Sequence, residues 1–306
     1  MSAANFSSHL SPERGRPIIA RALILCALLL TGCSQEPIPT ENSAQLRGGW
    51  EAYGTGDYAR AIQLFDAVTK SPESSDAHLQ GMYGVASVWN FRRPGQDAPK
   101  AATIYTEIAS RAPKHDLAAW SLLALARMKH VVPVDEEPNF DEVRKAYQEC
   151  IDRFPNHAAG EEAFIYQQST YVAKLSPADA QKAAAALEAF IAQHAKSPFI
   201  SATWLLLGEA YGILKQPEKA LQARVRSLET EEEDPLSPPD RAIAYWQVAS
   251  MAEFDAGDFA TARAYYNKLI AEYPNDMRLF AAKTALKRMD DLEAKIKAEL
   301  AAEKSR

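Results

Sequence analysis

A pattern of Trp, Leu-Gly, Tyr and a later Ala recurs along this chain and limits what it can fold into. It is clearest in the stretch WLLLGEAYGILKQPEKAL, whose key residues are Trp204, Leu207, Gly208, Tyr211 and Ala220. The following stretch repeats the theme with Trp246, Ser250, Gly257, Asp258, Phe259, Ala262, Tyr266 and Pro274. Small residues let two helix axes approach to about 8–10 Å, while Trp and Tyr fill the remaining space. The pattern therefore predicts antiparallel pairs of packed helices.

Further copies extend the pattern over most of the chain. A third unit contains Trp120, Leu123, Ala124, Phe140, Val143, Tyr147, Cys150 and Pro155. Earlier copies are GDYARAIQLF at 56–65 and APKAATIYTEIASRAP at 98–113, and the weakest copy is 158–198, with Tyr171, Leu187 and Phe190. We count six units over residues 42–276, with a period of about 39 residues.

These residues resemble the W-x2-L-G-x2-Y pattern and later alanine of the tetratricopeptide repeat (TPR). The resemblance implies an all-α solenoid of about six helix-turn-helix repeats at 44–276, wound into a right-handed superhelix with a concave and a convex side. Residues 277–306 have apolar positions at helical spacing among many charges, which is typical of a C-terminal capping helix.

The N-terminus has the organisation of an export signal. Three arginines, at 14, 16 and 21, precede the apolar run Ala22 to Leu30. As a helix this run is only about 14 Å long, too short for a hydrocarbon core of about 30 Å. It is followed by Leu30-Thr31-Gly32-Cys33, which is similar to the lipobox of bacterial lipoproteins. A plain signal peptide with an incidental cysteine is the alternative.

The lipobox resemblance implies that residues 1–32 are a signal peptide and that Cys33 is acylated. Residues 33–43 would then be the acylated N-terminus and a flexible tether, since SQEPIPTENS has two prolines and little to bury. Ser34, rather than aspartate, after the cysteine suggests sorting to the outer membrane by analogy with enterobacterial lipoproteins. We therefore expect membrane attachment through Cys33 at the periplasmic face of the outer membrane.

Charge and cysteine content narrow the function classes. The formal charge is −6 and becomes −8 when residues 1–32, with three Arg and one Glu, are removed. An acidic surface repels phosphates, so a nucleic-acid partner is not expected. The mature chain would keep one free thiol, Cys150, at a position usually held by a small core residue. We expect it to be buried rather than catalytic.

The predicted interaction surface is the concave face. In the repeat family this wall is lined by first-helix residues next to the Trp and after the small residue. Carried over unit by unit, they form a predicted groove set of nine residues: Ser121, Leu125, Met128, Leu205, Glu209, Ile213, Gln247, Met251 and Phe254. This apolar set, with two flexible methionines, suits an adaptable peptide or helix groove. The alternative is that these residues only pack against neighbouring helices.

The sequence contains no motif that indicates catalysis or the binding of a cofactor. It contains no H-E-x-x-H, G-x-S-x-G or P-loop motif. GTGDYA at 54–59 lacks the flanking strands that a dinucleotide site needs, and His78, His115, His157 and His194 fall one per unit, too far apart for one zinc ion. We expect no cofactor, metal or enzyme activity. The leading hypothesis is a lipid-anchored scaffold that binds envelope proteins, of the general type found in outer-membrane β-barrel assembly and among pilotin lipoproteins; the alternative is a structural spacer.

Overall fold

The computed structural model describes residues 38–72, 75–90, 95–232 and 239–304. These residues form thirteen α-helices and no strand. The first seven helices are α1 Asn42–Thr55, α2 Tyr58–Val68, α3 Asp76–Asn90, α4 Ala98–Arg111, α5 Asp116–His130, α6 Phe140–Arg153 and α7 Ala158–Val172. The remaining six are α8 Pro177–Gln193, α9 Ile200–Ile213, α10 Pro217–Glu229, α11 Ala242–Met251, α12 Phe259–Glu272 and α13 Leu279–Lys304. A π-helical turn, Ala252–Ala256, continues α11.

The helices pack as six consecutive hairpins. α1 lies against α2, α3 against α4, and so on to α11 against α12, while each hairpin also contacts the next one along the chain. α13 packs on α12 at the end of the stack. The arrangement confirms the predicted all-α solenoid of six helix-turn-helix units with a C-terminal helix. GTGDYA spans the turn between α1 and α2, where Gly56 has a φ of +84° and the Asp57 side chain caps α2.

The predicted signal peptide and Cys33 lie outside the described residues. The first helix starts at Asn42, so the last two residues of the expected tether are helical. None of the helices in the described ranges is both long and apolar enough to cross a membrane.

One buried ring in the second helix of a unit fills the space between the two helices of that unit. Phe65, Tyr105, Tyr147 and Tyr266 have almost no exposed surface and lie in α2, α4, α6 and α12. In three of these units the ring faces a small residue of the first helix: a Cβ on Gly49 would overlap the Phe65 ring, and the hydroxyl groups of Ser87 and Ser250 face the phenols of Tyr105 and Tyr266. The large-opposite-small pattern read from the sequence is thus a direct contact in these units.

Gly160, in the first turn of α7, lies against the turn that joins α6 to α7. A Cβ added there would overlap the backbone carbonyl oxygen of Phe154. A side chain could rotate away from such a clash, but a backbone atom can move only if the turn moves with it. By contrast, a Cβ on Gly212 in α9 would have nothing within 4 Å.

We predict that Gly160→Ala lowers the free energy of unfolding by about 1–3 kcal/mol because of this overlap. Gly212→Ala is the matched control and should leave the free energy unchanged or raise it by up to about 1 kcal/mol. Urea titrations followed by circular dichroism would measure both. Equal effects of the two substitutions would contradict the packing described for α7.

Cys150 lies in the core formed by α5, α6 and α7. Its Sγ is 3.6 Å from the carbonyl oxygens of both Ala119 and Ala159, and its side chain is fully buried. Burial raises the pKa of the thiol to about 12, and the nearby Arg153 only partly offsets this. Since the thiolate is the reactive form, the thiol is inert at neutral pH. The expected burial of Cys150 is what the structure shows.

We predict that iodoacetamide at pH 8 leaves Cys150 unmodified in the native protein and modifies it fully in denaturant, as measured by peptide mass spectrometry. An Ala264→Cys variant supplies an exposed reference thiol on α12, which should react within minutes. Native labelling of Cys150 at the rate of the reference would show an accessible, activated thiol and reopen a catalytic role.

Candidate groove on the first helices

The predicted groove residues of the fifth and sixth units line an open surface. Leu205 is 39% exposed and Phe254 is 67% exposed, and Glu209 and Gln247 are exposed as well. Ile213 and Met251 are half-buried and pack against the neighbouring hydrophobic clusters. All six lie on α9, on α11 or in the π-helical turn that follows α11. Some apolar side chains in this part of the chain are therefore accessible to solvent or to a partner.

A concavity of 440 Å³ lies at the end of this surface. It is lined by Arg224, Trp246, Gln247, Ser250, Met251, Phe254 and Asp255. Arg224 reaches it from α10 and donates a hydrogen bond of 3.3 Å to the Oε1 of Gln247. The floor is thus aromatic and thioether, while the rim carries one cation, one carboxylate and an amide.

The π-helical turn fixes the direction of two side chains at the end of the concavity. Phe254 points outward, whereas the adjacent Glu253 is buried. Arg288 of α13 donates to the Oε1 of Glu253 over 2.6 and 2.8 Å, and Tyr266 donates to its Oε2 over 3.0 Å. The Arg288 guanidinium also lies 5.1 Å from the centre of the Phe254 ring. A buried carboxylate needs such a partner, so the C-terminal helix holds this end of the surface in place.

The third unit differs from the prediction. Ser121 is completely buried, so it does not line an exposed groove as the sequence predicted. The surrounding helices pack closely through Ala118, Ala119, Ala159 and Ala163, and a short serine side chain does not reach past them. Leu125 and Met128 are half-buried and pack against core clusters. The accessible part of the predicted groove set is therefore the part in the fifth and sixth units.

A second concavity, of 460 Å³, is lined by residues that the sequence analysis did not assign to a groove. They include Arg127, His130, Tyr147, Tyr166, Ser169 and the loop after α5. The Arg127 guanidinium lies 5.2 Å from the Tyr166 ring centre and 3.7 Å from the Oε1 of Glu162. Burial raises the pKa of Glu162 and lowers that of His130. A departure from the repeat motif could have identified this concavity in the sequence. Arg127 lies seven residues after Trp120, at the position where the fifth unit has Tyr211 after Trp204.

The histidines have structural roles at the junctions between units. His115 and His157 cap α5 and α7, each accepting a backbone hydrogen bond at its Nδ1. These two also face a carboxylate of the preceding unit, with His115 2.8 Å from Asp76 and His157 3.8 Å from Asp116, whereas His194 lies 3.1 Å from Glu161 of its own unit. His78 contacts the carbonyl oxygen of Thr69. Within the described ranges, no three possible metal ligands from His, Cys, Asp and Glu come together.

Comparison with known proteins supports the repeat fold. Residues 240–276 match the family model described as tetratricopeptide repeat. No curated protein sequence matches the chain significantly. Among solved structures, PilF of Pseudomonas aeruginosa aligns with a TM-score of 0.51 and 13% identity, over 82% of this chain and 96% of PilF.

Two other solved structures are tetratricopeptide-repeat proteins with lower structural similarity. A thermophilic protein of this kind from Thermus thermophilus has a TM-score of 0.29 and 18% identity, over 80% of this chain and 99% of that one. A protein of Parabacteroides merdae has a TM-score of 0.38 and 13% identity, over 80% and 97%. The described chain is thus an all-α stack of helical hairpins, of which residues 240–276 match the tetratricopeptide repeat.

Proposed function

We propose that this protein is a lipid-anchored adaptor of the bacterial cell envelope that binds a protein partner along its fifth and sixth units. The observation that carries the proposal is the apolar surface formed by the exposed Leu205 and Phe254 and the half-buried Met251, which lies beside a concavity of 440 Å³. Tetratricopeptide-repeat proteins bind other proteins, and a stacked-repeat surface of this kind accepts an extended or helical segment.

The chemistry of the surface defines the partner segment. Phe254 and Leu205 offer apolar contacts, and Met251 can change rotamer to fit different side chains. Arg224 and Asp255 at the rim offer one charge of each sign. We therefore propose an amphipathic segment whose apolar face lies on Leu205 and Phe254, from a component of outer-membrane assembly, pilus or cell-wall machinery.

A spacer without a groove ligand is the competing function. It would require only the stacked core, to which a phenylalanine that is 67% exposed adds little besides its contact with Arg288. A large exposed aromatic side chain next to a concavity is more typical of a contact site than of a bare surface. The adaptor therefore accounts for more of the structure than the spacer does.

We predict that Leu205→Glu combined with Phe254→Glu abolishes partner capture without unfolding the protein. Phe254 is mostly exposed and Leu205 partly exposed, so the free energy of unfolding should fall by about 1–2 kcal/mol, which leaves the protein folded. Capture would be measured by photocrosslinking from position 247, which borders the concavity, in intact cells, with mass spectrometry of the adducts.

The matched control for this experiment is Gln222→Glu combined with Ala264→Glu, at exposed positions on the second helices of the same units. The control should keep the wild-type adduct. An adduct that survives the groove substitutions would contradict binding at this surface. If position 247 captures no protein in wild-type cells, the spacer becomes the better description.

Membrane attachment through Cys33 is the second part of the proposal. It is supported by the short apolar run and by Leu30-Thr31-Gly32-Cys33 in the sequence. Two or three acyl chains hold a protein at a membrane far more firmly than one, because each buried methylene contributes about 0.8 kcal/mol. Ser34 supports the periplasmic face of the outer membrane as the location.

We predict that Cys33→Ser moves the protein from the membrane fraction to the soluble fraction and abolishes incorporation of labelled palmitate. Cys26→Ser is the matched control, since Cys26 precedes the expected cleavage site, and should leave both properties unchanged. Palmitate labelling that persists in Cys33→Ser, or is lost in Cys26→Ser, would contradict acylation at Cys33.

A further inference from the structure

The C-terminal helix carries an apolar stripe that extends beyond the core against which the helix packs. Ala282, Ala285 and Met289 are buried at intervals of three and four residues. The stripe continues at the same helical spacing with Leu292, Ile296 and Leu300, which are 42%, 43% and 53% exposed. The first half of α13 is therefore a packed repeat helix, whereas the second half presents the same face to solvent.

Salt bridges from Arg263 mark where this change occurs. Arg263 of α12 pairs with Asp290 over 2.9 Å and with Glu293 over 3.0 Å. Beyond Glu293, α13 runs on to Lys304, a distance of about 16 Å. A helical extension of this length is marginal in water without cover for its apolar side. A partner for the overhang, residues 292–304, would supply that cover.

The spacing of the exposed residues is symmetric about Ile296. Leu292 and Leu300 lie four residues before and after it. If two overhangs pair antiparallel about a two-fold axis at Ile296, Leu292 of one copy meets Leu300 of the other and the two Ile296 side chains meet at the axis. Such self-complementarity is the requirement for a two-fold interface between identical chains.

The charges beside the stripe are complementary in the same arrangement. Lys295 and Glu299 flank one side of the stripe, and Glu293 and Lys297 flank the other. Antiparallel pairing brings Lys295 near Glu299 of the second copy, and Glu293 near Lys297 of the second copy. Opposite charges in flanking positions set partner choice and orientation in paired helices. All four side chains are partly or fully exposed.

We propose that two copies of this chain associate through antiparallel pairing of their α13 overhangs. About thirteen residues per chain take part, so the contact is smaller than the roughly 800 Å² per partner of a stable interface. The dimer is therefore weak and depends on concentration. This inference rests on α13 alone and depends neither on the groove nor on lipid attachment.

The test uses the full chain in intact cells, produced as two copies with different tags and with a photocrosslinking residue at position 296. We expect an adduct of twice the chain mass that carries both tags and maps to residues 292–300 of the second copy. Position 294, on the opposite face of the helix, is the matched control and should yield at least five-fold less adduct. An adduct with a different protein, or none from position 296, overturns the proposal.

A charge exchange in trans tests the antiparallel register. Lys295→Glu on both tagged copies places like charges across the pair and should reduce the adduct several-fold, and Glu299→Lys on both copies should do the same. When one copy carries Lys295→Glu and the other Glu299→Lys, opposite charges face each other again and the adduct should return. A change within a single helix cannot produce that recovery. Equal yields from mixed and matched pairs overturn the register.

Discussion

No single hairpin of this chain can bury its own apolar face, and the rest of the structure follows from that constraint. Small residues on a first helix accept a large ring from its second helix, as Gly49 accepts Phe65 and Ser250 accepts Tyr266. The outer face of the hairpin is then covered by the next unit. Because the stack is quasi-one-dimensional, its two ends and its open surfaces are where function can reside.

At the C-terminal end of the stack, α13 covers the sixth unit but leaves part of its own apolar face exposed. Glu253 is buried and is neutralised by Arg288 from α13, so the last helix is fixed to the sixth unit by a charge pair as well as by Met289 in the core. The same arginine lies over Phe254, which links the end of the groove to the closing helix. Beyond the core, α13 continues with an exposed apolar stripe. The same helix therefore covers the end of the stack with its first half and presents an apolar face to solvent with its second half.

The junctions between units and the first-helix surface carry different chemistry. At the junctions, His115 and His157 cap helices and face carboxylates of the preceding unit, which ties neighbouring hairpins together. On the first helices, Leu205, Met251 and Phe254 form an apolar surface with charges only at its rim. His157 caps α7 and Cys150 lies in the core, whereas ordinary apolar residues form the candidate site.

The sequence by itself determined the helical class, the six units, the closing helix and the burial of Cys150, because these depend on spacing and on residue size. Of the groove residues that it selected, Leu205, Glu209, Gln247 and Phe254 are exposed, whereas Ser121 is buried because the alanine-rich α5 and α7 pack closely. It also passed over Arg127, which replaces a motif tyrosine and lines a concavity with Tyr166. Only the tertiary structure decided which first-helix residues are covered and that the Glu253–Arg288 pair closes the stack, because both depend on contacts between segments far apart in the chain.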